Sequence, residues 1–81
     1  MPDPMTPSEI IHRTATEYGA HYWEVIGPRR SRYLVNVRTM CAARLRMRGY
    51  SYPEIGTYLG GRHHTTIMNL LGALRPKKSD R

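Results

Sequence analysis

Residues 51–66 read Ser-Tyr-Pro-Glu-Ile-Gly-Thr-Tyr-Leu-Gly-Gly-Arg-His-His-Thr-Thr. Ser51 and Glu54 have the spacing of a capping box, which predicts that a short helix begins here. The pair Gly60–Gly61 permits positive φ angles and a close approach of two backbones, and a second helix follows from about His63. This order is typical of a helix-turn-helix, in which the second helix presents its N-terminal residues to base edges in the major groove.

Two helical segments open the chain. The residues Thr6-Pro7-Ser8-Glu9 predict a helix start, and the apolar spacing that follows ends at Gly19. Residues 22–26 predict one helical turn before Gly27-Pro28 breaks it. This turn is expected to pack one or more of its apolar side chains into the core: Trp23, Val25 or Ile26.

Residues 33–48 predict a longer helix, and about 63–74 predict the last one. The apolar stripe of the longer helix consists of Leu34, Val37, Cys41 and Leu45. Its remaining surface is expected to carry Arg38, Arg44, Arg46 and Arg48. The two motif helices should point a further set inward: Ile55, Tyr58, Leu59, Ile67, Leu70, Leu71 and Leu74. No segment predicts a strand, so the expected fold is all-α, a small helical bundle that contains a helix-turn-helix and a basic loop.

Length and composition limit the protein to one small domain. Residues 1–5 are expected to be a disordered lead, 6–75 the DNA-binding domain and 76–81 a basic polar tail. Cys41 is the only cysteine, which excludes an intramolecular disulfide and a cysteine-type zinc site, and we expect it to be a small buried filler. No apolar run is long enough to span a bilayer and no signal-peptide pattern is present, which predicts a cytoplasmic protein. Together with the predicted DNA binding, this makes association with the nucleoid the expected localisation.

The charge of the chain is unevenly distributed. Residues 1–24 hold one basic and four acidic side chains, a net charge of −3, whereas residues 25–81 hold twelve basic and two acidic ones, a net charge of +10. Eleven of the thirteen basic residues are arginine, the side chain that forks onto phosphate and guanine. Such an excess favours a polyanion as the partner over a merely solvated basic surface.

Polar side chains that suit base edges cluster where the second motif helix begins. They are Arg62, His63, His64, Thr65 and Thr66. Histidine and threonine can donate to or accept from base edges, and the threonine methyl can contact the methyl of thymine. The alternative is that the threonines only cap the helix and the histidines are solvated.

No residue set predicts catalysis, a metal site or a cofactor. His63 and His64 are adjacent, and adjacent helical residues diverge by about 100°, so they cannot easily share one ion. No pair of a nucleophile and a base stands out. A Gly-x-x-x-x-Gly-Lys phosphate loop is absent as well, so no ATPase module is expected. The first and last residues suggest a complete small protein, with an excised fragment as the alternative.

The motif resembles that of a known family. Residues 51–56, Tyr58-Leu59, Gly-Gly-Arg at 60–62 and His-Thr-Thr-Ile at 64–67 are similar to the signature Ser-Leu-Pro-Glu-Ile-Gly…Phe-Gly-Gly-Arg-Asp-His-Thr-Thr-Val. That signature is typical of the C-terminal DNA-binding domain of bacterial replication initiators of the DnaA family. Upstream, Trp-Glu-Val-Ile-Gly-Pro-Arg-Arg-Ser-Arg at 23–32 looks like the family's Ala-Asp-Leu-Leu-Ser-Lys-Arg-Arg-Ser-Arg. The resemblance covers roughly residues 8–74.

The resemblance implies a role for each matching position. Arg30 would enter the minor groove, with Arg29 and Arg32 close to phosphates. Tyr52 and Pro53 would approach the backbone and thymine methyls. The further residues implied in DNA binding are Arg38, Arg62, His63, His64, Thr65, Thr66 and Asn69.

Two of these positions differ from the family's pattern. His63 replaces an aspartate that caps the helix and accepts from cytosine or adenine. A histidine suits both tasks less well and can donate to guanine instead. Asn69 replaces a histidine and has a shorter reach.

Two hypotheses of function follow. The first is a non-enzymatic protein that binds double-stranded DNA and regulates transcription or replication, encoded by a host, a phage or a mobile element. The second is an adaptor that binds a replication or transcription protein through an exposed aromatic patch. That patch would consist of Tyr18, Tyr22, Trp23 and Tyr33. Since the chain lacks phenylalanine, we expect these aromatic side chains to supply the core instead.

Overall fold

The computed structural model describes residues 6–72, which form five α-helices and no strand. The helices are α1 (Pro7–Glu17), α2 (Tyr22–Ile26), α3 (Arg32–Met47), α4 (Tyr52–Tyr58) and α5 (His64–Gly72). The all-α prediction is therefore confirmed, with helix boundaries close to those expected. The predicted lead at 1–5, the tail at 76–81 and the inward position of Leu74 lie outside the described residues.

The helix starts are set by short polar side chains. Thr6 Oγ1 accepts a hydrogen bond from the Glu9 backbone N–H at 3.2 Å, while the Glu9 carboxylate accepts from the Thr6 N–H at 3.0 Å. Ser51 and Glu54 repeat this reciprocal arrangement at 3.3 and 2.8 Å, and these bonds lower the pKa of the Glu54 carboxyl. Both predicted capping boxes are confirmed, so α1 and α4 begin where the local sequence places them.

The long helix α3 is central and packs against each of the other four helices. Its predicted apolar stripe is fully or almost fully buried, from Leu34 through Val37 and Cys41 to Leu45. Burial raises the pKa of the Cys41 thiol to about 11, so the thiol is protonated at neutral pH and serves as a small apolar filler. The core forms around this stripe.

The expectation that the aromatic side chains supply this core is wrong for Tyr18, Trp23 and Tyr33, whereas Tyr22 is half-buried and packs against the core. Trp23 is 66% exposed, and Tyr18 and Tyr33 are also exposed. In the single turn of α2, Val25 is buried. Trp23 precedes it by two positions and therefore lies on the opposite, solvent-facing side of the helix. Tyr58, also expected to point inward, is exposed at the end of α4. Aliphatic side chains, chiefly isoleucine and leucine, fill the interior instead.

The turn between α4 and α5 depends on two glycines with positive φ angles, as predicted. Gly60 has φ 90° and Gly61 has φ 79°. A Cβ atom on Gly60 would collide with the Ile26 carbonyl oxygen, whereas a Cβ on Gly61 would meet nothing within 4 Å. Gly60 therefore meets two requirements, a left-handed backbone and close approach to the end of α2, and Gly61 meets only the first.

These two glycines give a matched pair of stability measurements. Gly61→Ala should lower the free energy of unfolding by about 1–2 kcal/mol, the cost of a left-handed backbone for an L-residue. Gly60→Ala should cost about 3 kcal/mol or more, because the collision with α2 is added to the same backbone strain. Urea unfolding followed by far-UV circular dichroism measures both. Equal losses would contradict the tight contact between the turn and α2.

Candidate nucleic-acid interface

The first turn of α5 presents an exposed polar surface. His63, His64, Thr65 and Thr66 are all exposed, while Ile67 is buried and anchors the helix to the core. Leu70 and Leu71 pack against that core and are half-buried. Asn69 lies one turn after Thr65 on the exposed side. The predicted inner face of α5 is confirmed for its described residues, so the polar face is turned to solvent.

His63 caps α5 through its ring, although the sequence suggested that a histidine would do so less well than an aspartate. The Thr65 backbone N–H donates to His63 Nδ1 at 3.2 Å, and Thr65 Oγ1 lies 2.7 Å from the same nitrogen. The ring also lies against that of His64, with centroids 4.3 Å apart and planes tilted by 34°. His63 is therefore held in one orientation at the start of the helix.

The basic loop lies between α2 and α3. Arg29 and Arg30 are exposed, and Arg32 is the exposed first residue of α3. The Ser31 hydroxyl accepts from the Leu34 N–H at 3.2 Å and caps α3, which begins one residue earlier than predicted. The loop between the two helices is consequently short and fixed at both ends.

The C-terminal carbonyls of α2 are held by Arg38, which does not lie on the outer surface of α3 as expected. Arg38 is 3% exposed. Its Nε donates to the Val25 carbonyl at 2.6 Å, and its Nη2 donates to those of Glu24 at 2.9 Å and Gly27 at 3.0 Å. The last carbonyls of a helix have no partner within the helix, so Arg38 satisfies groups that would otherwise be left unpaired.

Arg62 completes this arrangement from the other side. Its Nη2 donates to the Gly27 carbonyl at 2.6 Å, and its Nη1 donates to the carbonyls of Ile26 at 3.4 Å and Leu59. The Gly27 carbonyl thus accepts from both arginines. We call Arg38, Arg62 and the carbonyls of residues 24–27 the arginine clamp. It joins the basic loop, α3 and the turn of the helix-turn-helix.

The clamp concentrates positive charge in one cleft. Arg30, Arg38 and Arg62 line a cleft of about 390 Å³ together with Thr66 of α5. Burial, followed by the nearby charges of Arg62 and Arg30, lowers the pKa of Arg38, and burial lowers that of Arg62. No carboxylate is among the residues that line this cleft, so its electrostatic potential favours an anion such as a phosphate.

Tyr52 and Pro53 lie at the start of α4, outside this cleft. The Arg46 guanidinium lies 4.6 Å from the centre of the Tyr52 ring and also donates to the Tyr50 carbonyl at 3.0 Å. Tyr52 is half-buried and Pro53 is exposed. Among the residues predicted to bind DNA, the structure brings four together in the cleft: Arg30, Arg38, Arg62 and Thr66. Tyr52 and Pro53 are not part of it.

The clamping role of Arg38 and Arg62 is not among the roles predicted from the sequence. One local signal could have pointed to it. A five-residue helix followed by Gly27-Pro28 leaves its last carbonyls without intrahelical partners, and Pro28 has no N–H to offer. Such a helix needs donors from elsewhere in the chain. The sequence alone does not identify which arginines supply them.

Residues 6–72 contain neither a metal site nor a membrane-spanning helix. No group of three or more His, Cys, Asp or Glu side chains in this part of the chain could hold a metal ion. Every described helix is too short or too polar to cross a lipid bilayer.

The family model and the individual relatives that this chain resembles all belong to one family. Residues 7–72 match the family model described as the bacterial dnaA protein helix-turn-helix. The chain is 36% identical over 66 residues to the chromosomal replication initiator protein DnaA of Thermomicrobium roseum, a match that covers 80% of this chain and 14% of that protein. For the corresponding protein of Acinetobacter baylyi the identity is 35% over 74 residues, covering 89% and 16%. For that of Cereibacter sphaeroides it is 40% over 68 residues, covering 80% and 14%.

The chain thus spans about 14–16% of the length of these relatives. No solved structure matches it.

The clamp predicts a difference between Arg38 of α3 and Arg48, the residue that follows the end of that helix. Arg38→Met should lower the free energy of unfolding by about 2–4 kcal/mol, because several carbonyls lose their charged donor. Arg48→Met, at an exposed position of the same chain region, should change it by less than about 0.5 kcal/mol. Urea unfolding measures both variants. Similar values for the two would mean that the clamp contributes little to the fold.

Proposed function

The chain belongs to the bacterial DnaA helix-turn-helix family, a family of DNA-binding domains, and from this premise we propose that it is a non-enzymatic regulator that binds double-stranded DNA. In this proposal the exposed start of α5 enters the major groove, and Arg30 of the basic loop enters the adjacent minor groove. It regulates replication or transcription by occupying sites on the nucleoid.

The cleft between these two elements is the observation that carries the proposal. Three arginines line it without a carboxylate, and Thr66, which also lines it, belongs to the first turn of α5. A DNA strand that passes from the minor to the major groove carries its phosphates across this position. One phosphate in the cleft would balance the positive charge that burial of Arg38 and Arg62 leaves uncompensated.

The other residues predicted to bind DNA fall into groups according to the kind of contact that they would make. Arg29 and Arg32 flank Arg30 on the exposed surface and would contact phosphates, which adds affinity without sequence preference. Tyr52 and Pro53, at the start of α4, would approach the DNA backbone and thymine methyls. Base edges would be contacted by the exposed side chains of α5 and its cap: His63, His64, Thr65, Thr66 and Asn69.

Two substitutions test the two grooves separately. Thr65→Ala should cost about 1–3 kcal/mol of binding free energy on the preferred duplex and should mainly relax sequence preference. Arg30→Ala should weaken binding to every duplex and reduce the steepness of the salt dependence, because a phosphate or groove contact is lost. Arg13→Ala on α1 removes the same charge away from the cleft and is the matched control.

Fluorescence anisotropy at low and near-physiological salt measures these effects. One labelled duplex carries a TTATCCACA-type box and the other a scrambled sequence. Tighter binding to the box indicates that the family's readout is retained, and equal, steeply salt-dependent binding indicates an altered preference. If Arg30→Ala and Thr65→Ala both bind like the unsubstituted protein, the proposed docking mode is wrong.

The exposed aromatic side chains favour a second candidate function, contact with a replication or transcription protein. Trp23 is 66% exposed and stacks on His21 with ring centroids 5.0 Å apart. Beside it, Gly27, Pro28 and Arg29 complete a cleft of about 420 Å³. An exposed tryptophan next to a concave surface is a common centre of protein–protein contacts.

Trp23→Ala separates this role from DNA binding. The substitution should leave DNA affinity unchanged and lower the free energy of unfolding by less than about 1 kcal/mol, since the side chain is mainly in solvent. It should abolish binding to a protein partner, measured by interferometry with purified replication and transcription proteins of the source cell. Val25→Ala, at the buried position of the same helix, is the structural comparison. A large loss of stability in Trp23→Ala would argue for a structural role.

A further inference from the structure

The cap of α5 determines which nitrogen of His63 carries a proton. A backbone N–H can only donate, and that of Thr65 donates to His63 Nδ1 at 3.2 Å. Nδ1 must therefore be unprotonated, and in the neutral ring the proton lies on Nε2. Thr65 Oγ1, 2.7 Å from the same Nδ1, can donate its hydroxyl proton there as well. Two donors of one residue thus favour the same tautomer.

The ring is also held in place. Nδ1 is tied to the first turn of α5, and the face of the ring lies against His64 at a centroid separation of 4.3 Å. The side chain as a whole is exposed, and no hydrogen bond within residues 6–72 uses its Nε2. His63 therefore presents a single N–H donor in a restricted orientation at the N-terminus of the recognition helix.

A lone donor discriminates among bases in the major groove. Guanine offers two neighbouring acceptors there, N7 and O6, whereas cytosine offers an amino group that is itself a donor. Adenine and thymine each pair one acceptor with an amino or a methyl group. The tautomer fixed by the cap is consequently suited to guanine and opposed to cytosine.

We propose that His63 is a specificity-determining residue that selects guanine at one position of the target site through its Nε2–H, with Thr65 as the positioning residue that fixes the tautomer. This inference rests on the proposed binding of double-stranded DNA by α5. It gives Thr65 a second role besides its own base contact. It also assigns the histidine a preference opposite to that of an acceptor-only side chain in the same place.

Two substitutions keep the cap and change only what faces the base. Aspartate and serine are both good N-cap residues, so His63→Asp and His63→Ser should retain the start of α5. Aspartate offers only acceptors, which suit the amino group of cytosine or adenine. Serine is too short to place a donor where Nε2 lies. Urea unfolding verifies that both variants are as stable as the unsubstituted protein.

The experiment is selection from a library of duplexes with randomised positions, followed by competition binding of single-base variants. The unsubstituted protein should enrich guanine at one position and prefer it to cytosine by about tenfold, within the usual cost of one mismatched base pair. His63→Asp should enrich cytosine or adenine there and leave the other positions unchanged. His63→Ser should show no preference at that position. Arg13→Ala should select the same sequence as the unsubstituted protein.

The outcomes separate the inference from the proposed function. If the protein enriches a sequence but neither substitution at residue 63 changes any position, the guanine contact is wrong while DNA binding stands. The same conclusion follows if guanine remains preferred in His63→Ser. If the protein binds no duplex, both the proposed function and the guanine contact are wrong.

Discussion

The carbonyl groups at the end of α2 are the constraint on which the rest of the structure depends. Two guanidiniums satisfy them, a buried one from Arg38 of α3 and a half-buried one from Arg62 in the turn that precedes α5. These cations lie near each other without a carboxylate in the cleft that they share, an arrangement that costs solvation and repulsion. Several charged hydrogen bonds offset that cost, and they fix the loop that carries Arg30 relative to the turn that precedes α5.

Local rules were enough to predict most of the fold. The capping boxes at Thr6 and Ser51, the positive φ angles at 60–61 and the stripe of α3 each depend on residues a few positions apart, so the sequence shows them directly. The clamp could not be predicted in this way, since Arg62 reaches a carbonyl 35 residues earlier in the chain. The exposure of Trp23 was missed for a related reason: in a single helical turn, periodicity does not indicate which apolar residue faces inward.

The exposure of the polar residues at the start of α5 was predictable from the sequence, and their hydrogen bonding was less so. The polar residues 63–66 follow a recognisable turn, and the structure exposes all of them. The capping function of His63 depends on which ring nitrogen faces the Thr65 N–H, a detail of orientation that residue type does not determine. Arg38 is the clearest case. A sequence shows it only as one basic residue among several on α3, whereas its burial follows from the packing of α2 against that helix.

The contact of Gly60 with the Ile26 carbonyl has a consequence for the DNA as well as for the protein. It places the turn of the helix-turn-helix directly against the end of α2, so a close backbone contact joins the elements proposed for the two grooves. In the proposed complex, this contact limits how far the two elements adjust to a duplex of different groove width or twist, so part of the adjustment falls to the duplex. The energy of that deformation depends on base steps that no side chain touches, such as flexible pyrimidine–purine steps. In the proposed complex, a glycine that makes no contact with DNA would thereby influence which sequences are bound.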